Sequence, residues 1–223
     1  MTDEQKGVLD NLRKAIFEYN ADLARVSAQK AIELDISPLE AMNVMTVAIR
    51  EIGDAFGTGE LWLPDLIGAS DAMQGATPVL EEAIKKQGAH REILGTVVAG
   101  TVFGDIHNIG KTMVTTLLTA AGFQVEDLGV NIKADAFIQA VQEHKADLVV
   151  MSALMTTTMT EQEKVIESLK SKGIRERVKV MVGGAAVTEE FARNIGADGY
   201  DPTAPGAVQL AENLLGKGGE YGS

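Results

Sequence analysis

A chain of 223 residues with 45% apolar side chains is long enough to bury a core in one large domain or two small ones. Its 20 basic against 32 acidic side chains leave a net charge of −12, which opposes attraction to nucleic-acid phosphates or anionic lipid and makes neither an expected partner. Cysteine is absent, which excludes disulfides, zinc-thiolate sites and iron-sulfur clusters; of the three histidines, His90 falls in a charged linker and His144 near the polar end of a helix, so no multi-histidine metal site is expected.

The opening MTDEQKGVLD is acidic and polar where a secretory signal would be basic and then apolar, and no apolar run is long enough to span a bilayer. A cytoplasmic location is expected. Up to about residue 88 the pattern is helical, beginning with segments 5–19 and 21–34. Ser37-Pro38-Leu39-Glu40 has the form of a capping box with proline at the first helical position. It opens a run whose apolar residues Met42, Met45, Ile49, Ile52 and Phe56 recur at three-four spacing and make one buried stripe. After the break at Gly57-Thr58-Gly59, Pro64 starts a fourth helix. There Leu66, Ala69, Met73, Ala76, Leu80 and Ala83 alternate large and small, so neighbours can approach closely. Four helices make a small bundle, expected over 1–88.

Charge and glycine in Lys85-Lys-Gln-Gly-Ala-His-Arg91 mark a linker, and a second domain is expected over 89–223. Strands are expected at 93–103, 124–128, 147–152, 178–182 and 198–200, with helices at 109–121, 133–144, 160–172, 188–195 and 204–215. Such strict alternation predicts an α/β fold: a doubly wound parallel sheet in flavodoxin-like order, with its crevice between the first and third strands.

The first strand, an uncharged run rich in β-branched residues, leads into Gly104-Asp105-Ile106-His107-Asn108-Ile109-Gly110. His107 therefore sits on a strand-to-helix loop, where parallel sheets line their ligand crevice. A neutral imidazole offers one nitrogen to a metal while the other donates its N–H, and Asp105 is placed to accept that hydrogen. The pair taken alone also fits an Asx turn beside an ordinary loop histidine. Two further strand ends point toward the same place. The third runs into the hydroxyl-rich Ser152-Ala153-Leu154-Met155-Thr156-Thr157-Thr158, and the fourth ends in Gly183-Gly184, where missing side chains let a large flat ligand approach the backbone. The stretch Gly104 to Thr112 approximates a phosphate loop, but its spacing is one residue too long and Asp105 would repel phosphate.

Asp105-x-His107-x-x-Gly110, then Ser152-x-Leu154, then Gly183-Gly184, resembles the cobalamin-binding domains, including the modules of methionine synthase. Over nearly the whole chain the pattern is most similar to the stand-alone corrinoid proteins of methyltransferase systems for methylamines, betaines or methanol. The resemblance implies that His107 is the lower axial ligand of cobalt, displacing the cofactor's own base (base-off, His-on), with Asp105 and Thr158 completing a relay behind it. The loop Gly104, Ile106, Asn108, Ile109 and Gly110 would contact the cofactor. Ser152, Leu154, Met155, Thr156, Gly183 and Gly184 would line the pocket for the displaced nucleotide tail, with Tyr200 and Asp201 at its far end.

The helical bundle would cap the reactive face with Met and Leu side chains, joined by Trp62, and the linker would be the hinge that lets partners in. On this reading the chain is a carrier rather than a complete catalyst. It would take a methyl group from a substrate-specific methyltransferase and pass it to a second one that methylates a tetrahydrofolate or a thiol, with a reductive activase as a further partner. The alternatives are a cobalamin-dependent sensor, disfavoured by the acidic charge and the lack of a basic helix, and a mutase subunit, disfavoured by the bundle. A receiver-like signalling domain needs an acidic residue where Ser152 stands.

Overall fold

The computed structural model describes residues 1–87 and 93–217. The chain divides into two compact units, Met1–Glu92 and Ile93–Ser223. The expected linker from residue 88 onward, including His90, lies outside the described residues.

The first unit holds α1 (Asp3–Phe17), α2 (Ala21–Glu33), α3 (Pro38–Thr58) and α4 (Leu63–Lys86). The three-four stripe on α3 is buried from Met42 through Ile52 and only partly at Phe56, and all six expected positions of α4 are buried. Small residues on α4 do allow close packing: a Cβ added at Gly75 would press on the backbone of Ala21, at the start of α2. The capping box expected at Ser37 does not form. Ser37 begins the helix without a side-chain cap, and Pro38 at the first helical position has no N–H to satisfy. A capping box instead starts α1 two residues earlier than expected, where Gln5 N–H donates to the Thr2 hydroxyl and Thr2 N–H to the Gln5 side chain. Trp62, at 74% exposure, belongs to no core.

The second unit alternates β1 (Thr96–Thr101), α5 (Ile109–Ala121), β2 (Gln124–Asp127), α6 (Ala134–His144), β3 (Leu148–Ser152), α7 (Thr156–Ser171), β4 (Lys179–Gly183), α8 (Glu189–Ile195), β5 (Gly199–Tyr200) and α9 (Ala204–Leu214). All pairings are parallel, in the order β2-β1-β3-β4-β5, which is the flavodoxin-like order read from the sequence. Period-two alternation buries both faces. Val98, Val149, Met151 and Val180 pack on one side with Phe137 of α6 and Val165 and Ile166 of α7. Val97, Leu148, Val150 and Met181 pack on the other with Leu118 of α5 and Ala211 of α9.

Two element bounds differ from the sequence reading for a reason that bears on the site. α7 begins at Thr156 rather than 160, because first-turn N–H groups need no helical acceptor and threonines are tolerated there. β1 ends at Thr101, after which only a single bridge, Val102 to Ile132, continues the pairing. Register then aligns the three strand ends that matter, since Thr101 lies opposite Ser152 and Ser152 opposite Gly183.

Candidate functional site

The loop between β1 and α5 is built by Gly104, whose φ of 81° turns the chain, and by bonds from two neighbouring segments. Thr101, fully buried, donates its hydroxyl to the His107 carbonyl at 3.1 Å. Asn131, after β2, grips the loop twice. Its N–H donates to the Asp105 carbonyl at 2.9 Å, and its Oδ1 accepts from Gly104 N–H at 2.8 Å. Asn131 can do both because it occupies the left-handed region, with φ 59°, which asparagine tolerates better than most residues. Neither Thr101 nor Asn131 was singled out in the sequence; a hint lay in the Gly129-Val130-Asn131 run at a strand end.

Asp105 is the hub. Its buried carboxylate takes four donors: His107 N–H at 3.0 Å and His107 Nδ1 at 2.7 Å on Oδ1, Leu154 N–H at 2.8 Å and the Thr158 hydroxyl at 2.7 Å on Oδ2. The Asx turn and the histidine partner are thus not alternatives, since one oxygen serves both. Burial alone would push this carboxyl up. The bonds from Thr158, His107 and Leu154 together outweigh burial and hold it well below the usual carboxylate range.

An acceptor that stays ionised fixes the proton of a neutral His107 on Nδ1, so Nε2 carries the lone pair. With the side chain 47% exposed, that nitrogen is open to a ligand. Thr158 belongs to the inner face of α7, and its hydroxyl's other acceptor, the Met155 carbonyl, is longer at 3.1 Å and uncharged.

Beside this hub lies a cleft of about 820 Å³ at the carboxyl ends of β1, β3 and β4. His107, Ser152, Leu154, Gly183, Gly184, Tyr200 and Asp201 all line it, so the three expected loops do meet. Ile106, Asn108, Ile109 and Gly110 join its wall, whereas Gly104, Met155 and Thr156 do not. Thr156 was expected in the pocket. Because α7 starts there, its side chain is exposed at the first helical position while Thr158, two residues on, turns inward. Asp201 has a structural task too, accepting from the N–H and hydroxyl of Thr203 as the chain enters α9. Lys111, buried on the cleft wall, is neutralised by an ion pair with Asp127.

The two glycines differ. At Gly183 an added Cβ would meet nothing within 4 Å, because the backbone borders open cleft. At Gly184, with φ 123°, it would overlap the Ala153 carbonyl, so only glycine lets β4 close against the end of β3.

Comparison with known proteins identifies the family to which this fold belongs. Residues 95–209, more than half the chain, match the family described as the B12 binding domain, and residues 8–81 match a second family of that description. This chain belongs to the B12-binding family. A corrinoid protein of Desulfitobacterium hafniense (strain Y51) is 42% identical over 212 residues, 94% of this chain and 98% of that protein. The trimethylamine corrinoid protein of Methanosarcina barkeri is 41% identical over 209 residues, 93% of this chain and 96% of that one. Among solved structures, the methanol:cobalamin methyltransferase complex of Methanosarcina barkeri is similar with a TM-score of 0.82 and 31% identity, covering 97% of this chain and 81% of that one.

The cofactor of this B12-binding chain is cobalamin, and the residues present fit it. No group of three or more His, Asp or Glu among the described residues could hold a metal ion by itself. A cobalt already held by a corrin would need only one further donor from the protein, and His107 is the residue that would offer one. The open backbone at Gly183 leaves the cleft beside it clear.

Proposed function

We propose that this B12-binding protein is a methyl carrier of a methyltransferase system, holding cobalamin with His107 in place of the cofactor's own base and the displaced nucleotide tail in the adjoining cleft. The bound corrinoid supplies a cobalt that accepts a methyl group from one partner and yields it to another. The observation that carries the reading is the Thr158–Asp105–His107 chain, set at the lip of a cleft bordered by a bare glycine backbone.

Asp105 holds the Nδ1 proton, which keeps Nε2 available and strengthens it as a donor. Thr158 and the Leu154 N–H hold Asp105, so the ring keeps its orientation when its ligation changes. Ile106, Leu154, Gly183 and Gly184 line the cleft beside this ring.

One named relative serves trimethylamine and one similar structure is a complex with a methanol-specific methyltransferase, which favours the carrier over the sensor. A substrate-specific methyltransferase is accordingly the first partner. The second would be a methyltransferase with a tetrahydrofolate or thiol acceptor, and a reductive activase would restore the cobalt after accidental oxidation.

The test is incubation of wild type and His107→Ala with hydroxocobalamin, followed by cobalt analysis and a visible spectrum. The reading expects one corrinoid per chain in wild type, with a histidine-ligated spectrum that His107→Ala loses. Absence of corrinoid from wild type, or identical spectra in both proteins, would defeat it.

A further inference from the structure

Gln162 is fully buried on α7, and its amide nitrogen donates at 3.1 Å both to the Met151 carbonyl of β3 and to the Gly183 carbonyl of β4. Both amide hydrogens are thereby spent on two neighbouring strand ends. Its Oε1 is buried with no hydrogen-bond partner among the described residues. A side chain retained only to fill this space would be apolar, since an amide leaves one acceptor unmet in the interior. The donors therefore have to be what the position requires.

What they brace is the edge of the cleft. Gly183 lies opposite Ser152 in the register and both line the cleft, while the Gly183 carbonyl also receives the Ala153 N–H at 3.0 Å. Immediately beyond, the backbone of residue 184 lies against the Ala153 carbonyl, and only a glycine, with no Cβ, fits there. The Gln162 amide thus ties the last rung between β3 and β4, where β4 ends in a glycine that offers no side chain of its own. Gln162 also lies four residues after Thr158, on the same inner face of α7. One helix face holds the Asp105 hub by its first turn and the cleft edge by its second.

We propose that Gln162 is a positioning residue for the nucleotide tail of the corrinoid: its amide fixes the β3–β4 edge of the cleft at the width the tail occupies. This rests on the tail lying in the cleft, as in the function proposed above. Gln162 touches neither the relay nor the cleft space, so its effect is confined to the part of the ligand that enters the cleft.

The experiment titrates wild type, Gln162→Met and Gln162→Asn with hydroxocobalamin and with cobinamide, which has the same corrin but no nucleotide tail, with folding followed by circular dichroism. Methionine keeps the length and removes the donors. Asparagine keeps the amide but is one methylene too short to reach both carbonyls, and serves if the first variant does not fold. Expected is about a tenfold loss of cobalamin affinity, with cobinamide affinity within about twofold of wild type. Equal weakening of both corrinoids, no weakening of either, or loss confined to cobinamide overturns the assignment. Wild type with no preference for cobalamin over cobinamide would instead overturn the tail-in-cleft reading itself, and Gln162 with it.

Discussion

The two units bury different things. Among the described residues of the helical unit the core is Leu, Ile, Met, Ala and Val8, and the buried polar residues are two small serines, Ser27 and Ser70. The β/α unit buries Thr101, Asp105, Lys111, Thr115, Thr116, Thr158 and Gln162. Four of these, Thr101, Asp105, Thr158 and Gln162, bond to the His107 loop or to the edge of the cleft. Apolar stripes are satisfied by almost any close neighbour, whereas a buried carboxylate requires each donor in place. The contrast separates two kinds of order: one unit is organised by packing, the other also by a polar network that packing alone would not retain.

Removing the hub should break this contrast most severely. Asp105→Ala leaves the Leu154 and His107 N–H groups without their acceptor and the Thr158 hydroxyl with only the Met155 carbonyl, at an expected cost of about 4 kcal/mol. Urea unfolding followed by circular dichroism measures it. The matching deletion in the apolar core, Leu80→Ala, should cost about 3 kcal/mol through lost transfer energy and a partly collapsed cavity. If the apolar deletion costs more than the polar one, the hub does not hold the second unit as its bonding implies.

The smallest effect is on pH dependence, and it separates charge from shape. Because the folded state holds the Asp105 carboxyl below its unfolded value of about 3.9, its stabilisation is complete above that value and is lost as pH falls through the lower, folded one. The melting temperature of the cofactor-free protein should therefore fall from pH 5 to pH 3 more steeply in wild type than in Asp105→Asn. Glu51 and Glu82, which cations also hold below the usual range, contribute equally to both proteins. Parallel curves would show that Asp105 is not held ionised by its four donors.

The elements were legible because apolar spacing is local. Met42 through Ile52 can be buried together only on a helix, and the alternating runs of the second half fit only a parallel sheet covered on both faces. Asp105 and His107 stood out as a loop carboxylate–imidazole pair, while Thr158 was named only through the family resemblance, since a hydroxyl in a threonine run has ordinary capping reasons to be there. Thr156 was placed wrongly because a run of threonines does not show where a helix begins, and that start decides which hydroxyl turns inward.

Asn131, Thr101 and Gln162 went unread for a different reason. Each acts through a bond to a backbone group 6 to 27 residues away, and backbone groups carry no signature in the sequence. What the amino-acid order settles here is the inventory: one imidazole, its carboxylate, a hydroxyl and two bare backbone positions, on a helical unit followed by a wound sheet. Only the folded chain decides that strand register sets Thr101, Ser152 and Gly183 side by side, and that a single helix face carries both Thr158 and Gln162. Such alignment depends on contacts between segments far apart in the chain, whose energies exist only once the sheet has formed.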